Sequence, residues 1–201
     1  MKKTLATLLL ALPILALAAP ATWDVDSAHT SSAFAVRHLV ISTVRGDFGK
    51  TAGAVTYDDK DVARSSVEAT IDVTSIDTRE PKRDEHLKSA DFFDTAKYPT
   101  ITFKSTKVEK AGEGKLKVTG NLTLHGVTKP VVLDVAGPTA EVKDPWGNVR
   151  RGFSATGKIN RQEFGLTWSK AIEAGPVLGD EVTILLDGEL IKKADPKTAA
   201  K

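Results

Sequence analysis

Apolar and polar residues alternate along most of the chain, and clusters of Gly, Asn and Asp separate the alternating stretches. A period of two is typical of β-strands that bury one face. Residues 65–76 are the clearest case, since Val67, Ala69 and Ile71 alternate there with polar residues. The same pattern predicts strands within residues 23–40, 44–57, 65–76, 100–108, 115–124, 131–135, 151–159 and 181–191.

The pattern predicts about seven to nine strands joined by hairpins, in a mainly β domain. A sandwich and a closed barrel both fit this pattern. Small inward residues mixed with Phe favour a barrel, and about eight strands leave room for one slender ligand. No internal repeat or second boundary is visible, so we expect one domain over residues 22–192 and a polar tail over residues 193–201.

Residues 78–103 interrupt the alternation. Pro81 suits the first turn of a helix, and charged and aromatic residues are concentrated just after it. A connection this long in a small β protein is usually functional or disordered, and the paired aromatics argue against disorder. We therefore expect a short helical insertion around residues 79–97. Its notable side chains are Arg83, Asp84, His86, Asp91, Phe92, Phe93 and Asp94.

The first residues have the pattern of an export signal. Lys2 and Lys3 precede an apolar run over residues 5–17 that ends in small residues. The run is shorter than the ~20 residues that a spanning helix needs, so a retained anchor is the less favoured alternative. We expect cleavage after Ala18, or alternatively after Ala21, and export through the Sec pathway to the periplasm. The mature protein would then not span a membrane.

Cysteine and charge exclude several classes of function. The chain has no Cys, which excludes thiol catalysis, Cys zinc sites and haem attachment through a Cys-x-x-Cys-His motif. A chain of this size can bury an adequate core without disulfides. Loss of Lys2 and Lys3 with the leader lowers Lys+Arg from 28 to 26, equal to the 26 Asp+Glu. A formally neutral protein indicates no nucleic-acid partner.

The four histidines, His29, His38, His86 and His125, have no metal-ligand spacing. His29 and His38 are nine positions apart, so a regular strand places them on opposite faces. Hydrogen-bonded imidazoles are therefore favoured over a metal site. No Gly-x-Ser-x-Gly elbow or phosphate-binding glycine motif occurs either.

The insertion leaves one catalytic interpretation, in which Asp84 and His86 act as an acid/base pair. The structural alternative is that Asp84 accepts a hydrogen bond from a backbone amide or from Arg83 and fixes the segment. The aromatic residues also allow two interpretations. They fill an ordinary core, or they line a pocket for an apolar ligand. The pattern favours neither pocket nor catalysis strongly.

Several stretches resemble the YceI family, in the expected order from Trp23 to about Leu190. Together they cover essentially the whole mature chain. The one departure in the main motifs is Thr30, where Ser is common, and it keeps the hydroxyl. The matching stretches are residues 26–38 (DSAHTSSAFAVRH), 83–94 (RDEHLKSADFFD) with Tyr98 and Pro99, 119–130 (TGNLTLHGVTKP), 152–153 (GF) and 159–166 (INRQEFGL).

The resemblance implies a lipocalin-like, eight-stranded antiparallel barrel with helical segments. It also implies a non-catalytic periplasmic protein that holds a long amphipathic lipid, typically a polyisoprenoid such as a quinone or a polyprenyl phosphate. No catalytic cofactor or metal is implied, and homodimers recur among such proteins. An apolar tail gains about 25 cal/mol per Å² when it leaves water, which suits a carrier between membranes.

The resemblance and the strand pattern together suggest two sets of ligand-binding residues. The apolar set would line the tail channel and comprises Phe34, Val36, Phe48, Phe92, Phe93, Phe103, Phe153 and Phe164. The polar set would lie at the mouth and donate to a phosphate or a quinone carbonyl; it comprises His38, Arg83, His86 and Arg161.

Two alternatives to a carrier stay open at this point. One is a stress-related structural or interaction protein whose barrel is packed with its own side chains. The other is a lipid-modifying enzyme that uses His86 and Asp84. A carrier should be stabilised by its ligand through mass action, whereas a packed barrel should not.

Overall fold

The computed structural model describes residues 20–172 and 175–194. The expected signal peptide, residues 1–18, and residues 195–201 of the polar tail lie outside this part of the chain. The strands are β1 (Ala21–Val25), β2 (Ser31–His38), β3 (Ser42–Phe48), β4 (Thr51–Tyr57), β5 (Ser66–Asp72), β6 (Ile76–Asp77), β7 (Thr100–Gly112), β8 (Lys115–Leu124), β9 (Val127–Ala136), β10 (Val142–Lys143), β11 (Val149–Asn160), β12 (Ala171–Ile172), β13 (Gly175–Pro176) and β14 (Leu178–Lys192).

Eleven of these strands form a closed antiparallel barrel with eight walls. Of the other three, β10 pairs with β11, and β12 and β13 form a separate two-stranded sheet. Three walls are broken strands, made of β1 with β2, β3 with β4, and β5 with β6. The long strand β14 closes the barrel, because it pairs with β11 along one edge and with both β1 and β2 along the other. The predicted eight-stranded, lipocalin-like barrel is therefore confirmed, and the sandwich is excluded.

Aspartate side chains make two of the breaks in these walls. Asp26 accepts the amide of Ala28 at 3.0 Å and starts the 3₁₀ turn Ser27–His29 between β1 and β2. Asp72 accepts the amide of Thr74 at 2.9 Å in the same way between β5 and β6. Such caps offer the backbone a local partner in place of the sheet ladder. They bend the strands where the barrel has to curve.

The short helical insertion predicted around residues 79–97 contains the helix α1 (Pro81–Lys88). Pro81 is its first residue, and the side chain of Glu80 accepts the amide of Lys82 at 3.3 Å. The helix ends at Lys88, and the amide of the following residue, Ser89, donates to the carbonyl of His86 at 3.1 Å. In the described ranges 20–172 and 175–194, no helix is long and apolar enough to cross a membrane.

The two ends of the barrel differ in chemistry. At the end that contains β1, which we call the Trp23 end, Trp23 is 1% exposed and the Arg151 guanidinium lies 5.2 Å from its ring. At the opposite end, the α1 end, the insertion crosses the opening. Phe93 meets Phe48 with ring centroids 5.9 Å apart, and Tyr98 meets His125 at 4.7 Å. The insertion therefore covers one end of the barrel.

Candidate ligand cavity

The barrel encloses a cavity of about 400 Å³. Pockets for small molecules usually measure about 300–1,000 Å³. Its wall is almost entirely aliphatic and aromatic, because strand alternation turns one face of each wall inward. On β8, the side chains that face inward and line the cavity are Leu116, Val118, Leu122 and Leu124. The sequence left open a barrel that is filled by its own side chains. The cavity shows that the interior is not filled in this way.

Glycines let two aromatic rings lie flat against the inner wall. Phe34 is paired with Gly46 across β2 and β3. A Cβ at Gly46 would lie 2.6 Å from Cζ of Phe34, which no side chain tolerates without movement. Phe103 covers Gly120 in the same way. Because each glycine has no side chain, the ring beside it can lie against the wall instead of projecting across the barrel.

Most of the predicted apolar residues line the cavity. One does not: Phe164 is 1% exposed and lies outside the cavity wall, in the 3₁₀ turn Arg161–Phe164. Its carbonyl oxygen lies 3.3 Å from Nδ1 of His125, so this part of the turn is fixed to the β8–β9 turn. The residues that do line the cavity are Phe34, Val36, Phe48, Phe92, Phe93, Phe103 and Phe153.

The four predicted polar residues all reach the cavity wall, and no Asp or Glu occurs among the described residues that line it. Arg83 is half-buried. Its Nε donates to Oγ1 of Thr78 and its Nη2 donates to the carbonyl of Thr78, both at 2.7 Å. A guanidinium has five N–H donors, and the hydrogen bonds to Thr78 leave Nη1 available. Arg83 is therefore both fixed and able to donate to a ligand.

Asp84 has a structural role. Its Oδ1 accepts the backbone amide of Thr78 at 2.9 Å and the hydroxyl of Thr78 at 2.5 Å. We call Thr78, Arg83 and Asp84 the Thr78 clamp, because two helix side chains hold one buried residue. Asp84 neither pairs with His86 nor lines the cavity. The geometry therefore does not provide the acid/base pair that the sequence suggested.

His86 belongs to an aromatic cluster at the mouth. Its Nε2 lies 2.9 Å from Oδ2 of Asp91. The ring meets Phe92 at 5.0 Å and Trp168 at 5.4 Å, in both cases edge to face, and Phe92 and Trp168 lie 5.1 Å apart. We call His86, Phe92 and Trp168 the mouth cluster. Trp168 was not predicted, because residues 165–170 show no periodicity that would reveal an inward position.

Arg161 holds this cluster in place. It is 3% exposed, and its Nη1 donates to the carbonyls of Leu166 at 2.5 Å and Trp168 at 2.8 Å. Its Nε donates to the carbonyl of Gly179 at 2.9 Å, and its Nη2 donates to Asp180 at 3.0 Å. Most of its donors are therefore used within the protein. Arg161 positions Trp168, whereas Arg83 keeps donors for a ligand.

One cluster has metal-type ligands, but it lies away from the cavity. Ligand atoms of Asp26, His29 and Glu189 lie within 4.8 Å of one another. Nη1 of Arg150 lies 2.5 Å from Asp26 and 2.8 Å from Glu189. The guanidinium already supplies the positive charge that these carboxylates need, so the cluster is explained as an ion-pair network.

Comparison with known proteins agrees with this architecture. A profile of the YceI-like domain matches residues 23–190. The chain belongs to the YceI-like family. A relative from Pectobacterium carotovorum, a UPF0312 protein, is 41% identical over 197 residues, which cover 96% of this chain and 99% of the relative. The protein YceI of Escherichia coli O157:H7 is 42% identical over 178 residues, covering 89% of this chain and 90% of that protein.

Solved structures of YceI-like and related proteins share the fold. BcnA of Burkholderia cenocepacia is 26% identical with a TM-score of 0.71, covering 84% of this chain and 99% of that one. The YCEI protein of Campylobacter jejuni is 34% identical with a TM-score of 0.68, covering 79% and 90%. A polyisoprenoid binding domain from Saccharophagus degradans has a TM-score of 0.61 at 17% identity, covering 87% and 99%, and shows the fold alone.

Proposed function

We propose that this YceI-like protein is a non-catalytic periplasmic carrier that holds one polyisoprenoid lipid inside its barrel. The observation that carries the proposal is the apolar cavity of about 400 Å³, in which the charged side chains among the described lining residues are cationic and lie at the α1 end. Such a cavity suits an amphipathic ligand with a long hydrocarbon tail and a head group that accepts hydrogen bonds. The polyisoprenoid binding domain from Saccharophagus degradans supports this ligand class.

Burial of the tail would drive binding. Apolar surface contributes about 25 cal/mol per Å² removed from water, and strands from every wall present apolar side chains to the cavity. A tail made of branched isoprene units fits a wall of Val, Leu, Ile and Phe without requiring polar partners. An acidic wall residue would repel a phosphate, and the described lining contains none.

The head group would lie at the α1 end. Arg83 is half-buried and keeps donors after binding Thr78, and His38 lines the same end of the cavity. Charge-assisted hydrogen bonds from a guanidinium are about twice as strong as neutral ones. We therefore favour an isoprenoid quinone or a polyprenyl phosphate, with its oxygen atoms near Arg83. The export signal expected in residues 1–18 would place the protein between two membranes that contain such lipids.

The decisive experiment is lipid extraction. The full-length gene is expressed in a bacterial host with an intact export pathway, and the mature protein is purified without detergent. Organic extraction and mass spectrometry should recover a polyisoprenoid in near-stoichiometric amount. If no lipid is recovered, and added quinone or polyprenyl phosphate is not taken up, the proposal is wrong. Added ligand should also raise the melting temperature, as mass action requires.

A further inference from the structure

The turn between β2 and β3 presents an apolar tip to solvent at the α1 end. Val40 is 54% exposed and Ile41 is 79% exposed, and neither lines the cavity. Single apolar residues scattered over a surface need no explanation. Two adjacent large aliphatic side chains at the end of a hairpin are different, because they form a protrusion that water cannot solvate well.

The backbone of this turn is unfavourable for the residues that it contains. The amide of Ile41 donates to the carbonyl of His38 at 3.2 Å, and the two residues between them, Leu39 and Val40, have φ values of 52° and 63°. Hairpin turns with two positive φ values strongly prefer Asn-Gly, and a β-branched residue at positive φ is an outlier. Strain of this kind is concentrated at functional positions.

The tip is attached to the rim of the cavity. The amide of Leu39 donates to the carbonyl of Val177 at 2.8 Å, and Val177 lines the cavity, as does His38 next to the tip. The amide of Val177 donates in turn to the carbonyl of Lys170 at 2.9 Å. Beside this contact, Ile172 adds a further side chain that is 47% exposed. A lipid that passes the α1 end therefore passes next to the tip.

Cations lie behind the apolar tip. Arg37 and Arg45 share the outward face of the hairpin, because Arg37 is paired with Thr43 and Arg45 with Ala35. Nη2 of Arg37 donates to the carbonyl of Val40 at 2.5 Å and so supports the turn. Within the described part of the chain, neither arginine forms an ion pair. An apolar tip with cations behind it matches the layers of a bilayer that has anionic head groups.

We propose that the tip formed by Leu39, Val40 and Ile41 docks the protein onto an anionic bilayer. The aliphatic side chains enter the interface, Arg37 and Arg45 meet lipid phosphates, and the mouth of the cavity faces the membrane. A lipid tail then moves between bilayer and barrel without crossing water. This inference rests on the proposed function, and it assigns the place where the carrier collects and delivers its ligand.

The test uses the purified mature protein with its own lipid. Flotation with vesicles of phosphatidylcholine, alone or mixed with phosphatidylglycerol, measures the bound fraction. The double exchange Leu39→Asn with Val40→Gly suits positive φ, so the fold and the lipid content should persist. Binding to the anionic vesicles should fall about tenfold, equivalent to about 1.4 kcal/mol. Arg45→Gln should weaken binding only to the anionic vesicles.

The matched control is Trp146→Ser. Trp146 is 82% exposed in the turn between β10 and β11, at the Trp23 end, so its loss should leave flotation unchanged. Docking is overturned if the lipid-loaded wild-type protein floats with neither vesicle, or if the double variant floats like the wild-type protein. It is also overturned if Trp146→Ser abolishes flotation. Absence of extractable lipid with normal flotation would instead contradict the proposed function alone.

Discussion

Nη1 of Arg150 lies 2.5 Å from Oδ2 of Asp26, although the two residues are 124 positions apart in the chain. The contact joins the end of β1 to the start of β11 at the Trp23 end of the barrel. Arg150 also binds Asp144 through Nε and Glu189 through Nη1, both at 2.8 Å. One guanidinium therefore ties together three segments that meet only in the folded barrel.

Replacing Arg150 with Gln should destabilise the barrel, because Asp26 and Asp144 would keep their charges but lose the guanidinium that pairs with both of them. We expect the melting temperature to fall by several degrees in thermal unfolding. The control is Lys104→Gln, which removes a solvent-exposed pair with Glu68 at 2.6 Å; such pairs contribute little. Equal stability of the two variants would contradict a structural role for Arg150.

The ion-pair network around Arg150 should also make the stability of the protein depend on pH. Hydrogen bonds from Arg150 and then from His29 lower the pKa of Asp26 from 3.8 to about 2. Burial opposes ionisation of Asp144, but hydrogen bonds from Arg150 and Asn148 outweigh it and hold its pKa well below its usual range. A lowered pKa in the folded state stabilises the protein above the ordinary carboxyl pKa, and this stabilisation is lost as pH falls.

For Asp26, the loss should occur between about pH 4 and about pH 2. Urea unfolding measured across this interval should show a falling free energy of unfolding. Arg150→Gln removes the main cause of the low pKa, so the variant should show a shallower slope there. A slope that is the same in both proteins would contradict this assignment.

Filling the cavity should exclude the ligand without unfolding the barrel. Ala155 on β11 is 4% exposed and lines the cavity, whereas the next residue, Thr156, is exposed on the outer face. Ala155→Phe should strongly reduce the lipid recovered by extraction and cost about 1–3 kcal/mol through overpacking. Thr156→Phe is the matched control and should retain the lipid. Retention by both variants would show that the ligand binds elsewhere.

The Thr78 clamp should hold the insertion over the α1 end. Thr78 is 4% exposed. Thr78→Val removes the hydroxyl that binds Asp84 and Arg83, and it should cost about 1–3 kcal/mol because polar groups lose their partner. Hydrogen exchange should then accelerate in α1 before global unfolding. Thr106→Val, on the exposed face of β7, should change stability by less than about 0.5 kcal/mol.

Trp168 should slow release of the ligand. Its ring packs on His86 and Phe92 at the mouth, so Trp168→Ala opens the route past α1. We expect about tenfold faster transfer of a bound quinone to acceptor vesicles, because losing contacts that contribute about 1.4 kcal/mol corresponds to a factor of ten in rate. Trp146→Ala controls for the loss of a tryptophan. Unchanged transfer would mean that the ligand leaves by another route.

Local pattern identified much of the barrel. Alternation located the inward face of β5, where Val67, Ala69 and Ile71 line the cavity, because a strand turns every second side chain to the same side. Pro81 marked the start of α1, since its missing amide does no harm in a first helical turn. A proline is usually confined to the start of a strand or to an edge strand, because it has no amide to donate. Pro130 lies within β9, but β9 pairs with β11 only over residues 133–136, so this proline has a strand neighbour on one side alone.

Side-chain partners required the folded molecule, because they join residues distant in the chain or in regions without a period. The sequence places Asp84 two positions from His86, but only the folded structure shows that Asp84 accepts its hydrogen bonds from Thr78. Two arginines look alike in the sequence. The guanidinium of Arg161 donates to backbone carbonyls, while that of Arg83 keeps N–H donors for a ligand at the mouth of the cavity. The strand periods and turn residues thus specify a β-barrel, whereas the packing of the walls and the insertion decides which side chains meet the cavity.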